Sequence, residues 1–238
     1  MKKSAEGKHL NKKGTNYDKG KYPCANNTVD IGICTIIDGT LKILLGKRAD
    51  PPYQYYWVLP GGYCTIGKES LEQAANRELE EETNVKGMSI RQLGTYSNPK
   101  RDPRNVTITT AFYTLTSNKI LEQEIKGKDD ILETKWYNIR KVPKKMGFDH
   151  NIIVKDLIKK LKEDIMNKPI AFELVGKTFT WTELQEVCEA VLGKELISPN
   201  FRRKFNTMYI IEETKQKSEI VKGRPPTLLK FKGVRDKF

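Results

Sequence analysis

Glu78, Glu81 and Glu82 stand at i, i+3 and i+4, so on a helix their carboxylates share one face. Three like charges there repel, and toward a helix C-terminus the macrodipole disfavours them further. Stability does not ask for that arrangement. A hard divalent cation, Mg²⁺ or Mn²⁺, resolves it, because such ions take carboxylate oxygens and usually keep waters and substrate phosphates as well. A solvated acidic face is the competing explanation for the run alone. It does not stand alone, however: Leu59-Pro60-Gly61-Gly62 and then Glu69 precede Arg77-Glu78-Leu79 at short, fixed spacing.

Arginines and aromatics flank this segment. Arg48, Pro51, Pro52, Tyr53, Tyr55, Tyr56 and Trp57 come before it, and Arg101-Asp102-Pro103-Arg104 after it. Guanidinium groups hold phosphates and an aromatic ring can stack on a base, which makes Arg48, Tyr53, Arg101 and Arg104 candidate ligand-binding residues. For any single aromatic, packing in a core or loop is an equally good explanation.

A second constellation lies near the C-terminus. Asn200, Arg202, Arg203 and Lys204 crowd the start of a segment whose Phe201, Phe205 and Met208 recur at helical spacing. The apolar stripe would fix this helix to its own domain and leave the basic groups outward. A preceding helix, from the capping box Thr180-Trp181-Thr182-Glu183 to about Leu192, carries Leu184, Val187, Cys188 and Val191 as its stripe and stops at Gly193. Ser198 is expected to cap the second helix, with Pro199 in its first turn. Tyr209-Ile210-Ile211 and Thr227 to Phe231 read as a hairpin, with Lys222 and Arg224 where a wing would emerge. In helix-turn-helix geometry the second helix enters the major groove, where Arg and Asn read base edges. A small helical domain with an ordinary basic face is the alternative.

The elements that must position these residues are legible in part. Val29 to Ile37 and Leu41 to Leu45 read as strands joined by Asp38-Gly39, and Val106 to Phe112 alternates like another. Trp136 and Tyr137 are expected on a last strand. Ser70 to Thr83 reads as a helix opened by a Ser70/Gln73 capping box. Asn151 to Ile165 reads as a linking helix with Val154, Leu157, Leu161 and Ile165 on one face, ended by Asn167-Lys168-Pro169. The expected division is a basic disordered tail at 1–21, an α/β domain at 22–150, the linking helix at 151–168 and a winged helix-turn-helix domain at 169–238.

The run from Gly62 through Glu69, Arg77, Glu78, Leu79, Glu81, Glu82 and Val85 resembles the Nudix box. Six residues rather than the family's five separate Gly62 from Glu69, and Asn84 stands where the family has Gly. The resemblance implies an α/β/α sandwich around a mixed sheet. It implies metal ligation by Glu78, Glu81 and Glu82, joined by the Gly61 carbonyl, and a Glu69–Arg77 pair that orients them. Glu69, Arg77, Glu81 and Glu82 then carry the catalysis, water attack on a metal-held pyrophosphate. Arg48 and Arg101 to Arg104 are similar to the branch that handles ADP-ribose. With Asp102-Pro103-Arg104, Phe148-Asp149-His150, Phe179-Thr180, Glu183-Leu184-Gln185, Asn200 to Lys204 and Gly223-Arg224-Pro225, the chain resembles the NrtR family of regulators of NAD metabolism. That family implies a homodimer on a palindromic double-stranded DNA operator and an ADP-ribose-like effector. The rival reading is a Mg-dependent ADP-ribose pyrophosphatase whose C-terminal domain dimerises or binds a protein.

Charge supports two basic ends. The chain of 238 residues has a net charge of +13; residues 1–21 hold seven lysines against two acids, while residues 199–238 hold 11 basic and four acidic residues. The middle, 22–150, is nearly neutral, with 18 basic and 16 acidic residues, so a polyanion partner is expected for the C-terminal part. Four cysteines without a CxxC pair, and two histidines, argue against a zinc site or disulfide framework and fit a reducing cytoplasm with small, buried or half-buried thiols. No apolar run approaches the roughly 18 residues of a membrane span, and no apolar stretch follows Met1-Lys2-Lys3-Ser4 to make a secretory leader.

Overall fold

In the computed structural model, the residues described are 9–10, 16–17, 24–83, 87–118, 120, 131–217 and 226–235. Within the expected tail, β1 (His9–Leu10) pairs with β2 (Asn16–Tyr17) in a two-stranded ladder of its own. The main sheet starts from β3 (Asn26–Ile37) and β4 (Thr40–Arg48). Asp38 and Gly39 between them have φ of 49° and 63°, the double left-handed turn that matches strand twist. That turn sets the register, Ile37 opposite Thr40 and Cys34 opposite Ile43.

Five further strands complete the sheet: β5 (Trp57–Val58), β6 (Gly61–Tyr63), β7 (Arg91–Tyr96), β8 (Thr107–Leu115) and β9 (Ile131–Asn138). The order is β5-β4-β3-β8-β7, with β6 on β3 and β9 on β4. Only β3 and β8 run parallel, so the sheet is mixed. Val106 precedes β8 and is exposed, one residue short of the expected strand.

Each face of the sheet carries a helix. Helix α1 (Leu71–Thr83) sets Ala74, Ala75 and Leu79 against Val29, Ile31, Ile33, Leu44 and Phe112. Its two alanines let the helix approach closely. Helix α2 (His150–Asp164) sets Ile153, Val154, Leu157 and Leu161 against Cys34, Leu41, Ile43, Leu45 and Tyr113 on the other face. Gly32 is required where Leu157 passes, since a Cβ there would collide with the Leu157 side chain. Each such fully buried aliphatic side chain contributes about 1.5–3 kcal/mol.

Beyond α2 come α3 (Ala171–Leu174), α4 (Trp181–Leu192), α5 (Ser198–Met208) and the hairpin β10 (Tyr209–Lys217) and β11 (Thr227–Val234). The Thr180/Glu183 capping box forms reciprocally at 3.1 and 2.7 Å, and Gly193 ends α4 at φ 73°. Phe172, Phe179, Phe205, Tyr209 and Phe231 form the domain's aromatic core, with Phe172 stacked on Phe231 at 4.1 Å. Phe179 and Leu229 exchange two backbone hydrogen bonds, at 3.0 and 2.7 Å, which adds the segment before α4 to the wing hairpin. Helix, turn, helix and hairpin make a winged helix. Ser198 is not the cap of α5: Ile197 holds that position, and the Ser198 hydroxyl donates to the Gln185 carboxamide oxygen on α4 instead. A tertiary partner has taken the group that the local sequence assigns to capping.

The two domains share one apolar cluster through α2, α3 and α4. Arg140 reinforces the junction by donating to the Ala190 and Val191 carbonyls, at 3.0 and 2.6 Å, where α4 leaves its last acceptors unsatisfied. Arg91 pairs with Glu173 across the same junction. Cys34 and Cys188 are buried and Cys64 half-buried, but Cys24 is exposed; all four are free thiols. Among the described residues no helix is long and apolar enough to cross a membrane.

Candidate functional site

A cleft of about 770 Å³, counting its open mouth, lies where the C-terminal part of β4, the Leu59–Tyr63 segment, α1 and the start of α2 meet. Its wall includes Arg48, Gly61, Gly62, Glu82, Arg101, Arg104, Phe148 and His150. Gly61 and Gly62 are needed for close approach: a Cβ on Gly61 would collide with the Val29 carbonyl oxygen, and one on Gly62 with the Glu78 carboxylate. The two glycines thus let β6 lie flat between β3 and α1.

The acidic helix folds as its capping suggests. Ser70 N–H donates to Gln73 Oε1 at 2.8 Å, and Gln73 N–H to Ser70 Oγ at 3.2 Å. The extra residue of the preceding loop is absorbed in a turn: Lys68 N–H and Glu69 N–H both donate to the Thr65 carbonyl, and Gly67 takes φ 78°. Glu69 therefore still reaches Arg77 with both oxygens, at 3.0 and 2.8 Å. The Arg77 guanidinium, with a backbone donor at Thr65, holds the Glu69 carboxyl far below its ordinary range, at about 2. Arg77 also donates to Glu78 at 2.7 Å and lies 3.5 Å from Glu81.

Glu78 and Glu82 are buried at 2% and 3% exposure, whereas Glu81 is exposed. Glu82 reaches the cleft. The carboxylates and the neighbouring Gly61 carbonyl are all hard oxygen donors, the right type for Mg²⁺ or Mn²⁺. Among the described residues no three His, Cys, Asp or Glu side chains converge into a ready metal cage. Arg77 stands on Glu78 in that arrangement, so cation binding requires the guanidinium to share or yield this carboxylate. Asn84 and Val85, the last box positions, lie outside the described residues.

The flanking residues divide by role. Arg48 donates from Nε to the Pro52 carbonyl at 3.0 Å and stands over the Phe148 ring at 5.6 Å. Arg104 faces the same ring at 5.7 Å and the Tyr63 ring at 5.8 Å, while Asp102 accepts from it at 3.0 and 2.8 Å. Burial pushes the Asp102 carboxyl up, but its bonds from Arg104 outweigh this and leave it below its ordinary value. Tyr53 meets Phe148 edge-on at 4.9 Å. Tyr53 and Phe148 both adopt left-handed φ, 61° and 55°, a cost for residues with side chains that tends to cluster at functional sites.

Arg101, expected to hold phosphate, is instead engaged inside the protein. Its side chain is buried and bonds Asp149 at 2.9 and 3.1 Å and Asp30 at 3.1 Å. His150 joins this network: Nδ1 accepts from Leu59 N–H at 2.8 Å, which places the imidazole proton on Nε2, 3.3 Å from Asp30 Oδ1. Burial raises the Asp30 carboxyl, but His150 and then Arg101 outweigh it and hold it below its ordinary value. Asp30, Phe148 and His150 are site residues that spacing alone does not reveal. The Phe148-Asp149-His150 run is the one available signal for the last two, and Asp30 has none.

On the second domain, Asn200, Arg202, Arg203 and Lys204 are all exposed on α5, while Phe201 and Phe205 are buried beneath them. Arg202 lies over the Trp181 ring at 5.9 Å, Arg203 approaches Asn200 Oδ1 at 3.4 Å and Lys204 donates to Asn167 Oδ1 at 3.0 Å. None of the three cations forms a salt bridge among the described residues. Lys222 and Arg224, expected at the wing tip, lie outside the described residues.

Residues 26–157 match the NUDIX domain family, and residues 171–231 match the NrtR DNA-binding winged helix domain. The ADPR responsive transcriptional repressor NtrR of Acinetobacter baylyi is 32% identical over 217 residues, 90% of this chain and 85% of that protein. This chain belongs to the NrtR family. NrtR of Shewanella oneidensis, solved with a 27mer DNA, superposes with a TM-score of 0.75 at 32% identity, covering 86% of this chain and 93% of that one. The NUDIX domain of the same NrtR, solved with ADP ribose, superposes with a TM-score of 0.54 at 32% identity over 61% of this chain and 94% of that one. An NrtR-type chain therefore carries the α/β/α sandwich and the winged helix described above. Nudix hydrolases generally use divalent metals, and the hard-oxygen donors around Glu78 and Glu82 agree with that chemistry.

Proposed function

We propose that this chain is a DNA-binding transcriptional regulator of NAD or related sugar-nucleotide metabolism whose Nudix cleft takes ADP-ribose. The observation that carries the reading is the union of two features in one chain. One is a cleft walled by arginines and aromatics. The other is a helix that buries two phenylalanines and offers three cations that have no acidic partner among the described residues. Arg48 and Arg104 hold the ligand's phosphates, with Phe148, backed edge-on by Tyr53, forming an aromatic wall for the base. Arg101 shapes that wall through Asp30 and Asp149. Asn200, Arg202, Arg203 and Lys204 meet operator DNA in the major groove, with Lys222 and Arg224 on the wing. A homodimer on a two-fold operator fits this reading, since half-site symmetry mirrors protein symmetry.

Glu78, Glu81, Glu82 and the Gly61 carbonyl would hold Mg²⁺ or Mn²⁺ once Arg77 shares or yields the Glu78 carboxylate, and Arg77 with Glu69 would orient them. When bound, the cation neutralises charge on the pyrophosphate. The preserved Glu69–Arg77–Glu78 network favours a second reading of the same cleft, hydrolysis of ADP-ribose to AMP and ribose 5-phosphate, with Glu81 or Glu82 taking a proton from water. Gel shifts of purified protein on DNA upstream of its own gene, with and without ADP-ribose, test the first reading. A specific shift that ADP-ribose alters is expected. Specific DNA binding absent on that and on other candidate operators, together with Mn²⁺-dependent AMP release lost in Glu82→Gln, overturns it in favour of the second.

A further inference from the structure

Three consecutive residues at the start of α2 each build part of the cleft. Phe148 supplies the ring between Arg48 and Arg104. Asp149 grips the buried Arg101 guanidinium through both carboxylate oxygens. His150 accepts from Leu59 N–H and faces Asp30, so it ties the segment leading into Gly61-Gly62 to α2. The imidazole is 3% exposed, accepts at Nδ1 and has Asp30 Oδ1 3.3 Å from Nε2, so both ring nitrogens face partners. A shift of the Leu59–Gly62 segment therefore pulls on α2, and a shift of α2 displaces that segment.

Helix α2 is built to carry such a shift. Its 15 residues span about 22 Å. Ile153, Val154, Leu157 and Leu161 pack it into the one apolar cluster that the sheet and the second domain share, so it is a rigid element joined to both. At its far end Asn167 is fixed by donating to the Glu163 carbonyl at 2.8 Å, and its side-chain oxygen accepts from Lys204 of α5. Helix α2 thus touches the cleft through His150, and the turn that follows it touches α5 through Asn167.

We propose that His150 and Asn167 are positioning residues that make α2 the connection between cleft occupancy and DNA affinity. The inference rests on the ADP-ribose-responsive reading given above. It assigns to His150 the task of fixing the Leu59–Gly62 segment on α2, and to Asn167 the task of fixing Lys204. Neither residue needs to touch DNA or change the chemistry at the acidic helix.

The test measures operator affinity by fluorescence anisotropy with and without saturating ADP-ribose, in wild type, His150→Phe and Asn167→Ala. ADP-ribose affinity is measured alongside by calorimetry. Coupling between two sites usually lies at about 5–150-fold. The expected result is a wild-type ratio in that range, falling toward one in both variants; Asn167→Ala, remote from the cleft, keeps wild-type ADP-ribose affinity, and for His150→Phe the ratio is compared at saturating ADP-ribose, whatever its own affinity. His150→Gln, which can accept at Oε1 and donate at Nε2, should restore much of the ratio lost in His150→Phe. If His150→Phe does not fold, the exposed Asn167→Ala decides alone. A wild-type ratio retained in a folded variant overturns the inference and leaves the regulator reading standing. A wild type that binds operator with a ratio of one overturns the regulator reading itself.

Discussion

The arginines of the cleft and those of α5 are set in opposite ways. Arg77, Arg101 and Arg104 each hold carboxylates at hydrogen-bond distance, and Arg101 is buried with them. Arg202 and Arg203 stand in solvent on a helix anchored from below, with an aromatic ring and an amide as neighbours. The first group shapes a cavity, where an unpaired charge would be costly to bury. The second forms no salt bridge among the described residues, which is what the proposed DNA contact requires. Net charge alone would treat both groups alike; pairing separates arginines held by carboxylates of their own domain from arginines left open to solvent.

The sharpest way to break this comparison is Arg101→Ala. Removing one partner of a buried ion pair leaves Asp30 and Asp149 uncompensated, a loss of about 3–5 kcal/mol. Denaturant melts should show it, and a loss below about 1 kcal/mol would mean the network is not structural. Arg202→Ala and Arg203→Ala should do the reverse. Their stability should stay within about 0.5 kcal/mol of wild type. Specific DNA binding should weaken by about 1–3 kcal/mol where a base contact is lost. Where the contact is to phosphate, all sequences weaken alike and the salt slope falls by about one. Titrations at two salt concentrations separate the cases.

Smaller effects test how the scaffold presents these groups. Thr180→Ala removes the α4 cap and should cost about 1 kcal/mol, with operator binding preserved in the folded fraction. The Glu69–Arg77 pair should show itself in pH dependence. Because the folded Glu69 pKa, about 2, lies below its ordinary 4.5, its stabilisation is complete above the ordinary value and fades as pH falls from about 4.5 to 2. The melting-temperature gap between wild type and Glu69→Gln should therefore close over that interval. A constant gap would mean that the carboxylate's charge is not what holds the loop.

Sequence reasoning reached the parts whose logic is local. The Ser70/Gln73 and Thr180/Glu183 capping boxes, the Asp38-Gly39 turn and the spacing of Glu69, Arg77 and Glu78 each depend on neighbours a few positions away, and each forms. Long-range partners escaped it. Leu59 and His150 are 91 positions apart, and Arg101 and Asp30 71, so no pattern within a segment joins them. Ser198 shows a local rule overridden by a tertiary one, as Gln185 takes its hydroxyl. Strand β7 escaped as well: Arg91 to Tyr96 lacks clean alternation, and its ladder with β8 shifts register between Gln92 and Gly94.

In the proposed function, one chain couples ligand in the Nudix cleft to DNA on the winged helix. Linkage makes it measurable from the ligand side: if ADP-ribose changes operator affinity by some factor, operator must change ADP-ribose affinity by the same factor. Calorimetric titration of ADP-ribose into the protein, alone and saturated with operator duplex, is the most direct measurement. ADP-ribose should bind more weakly in the presence of operator, by the factor found in the reverse experiment. An ADP-ribose affinity that is identical with and without bound operator would contradict it.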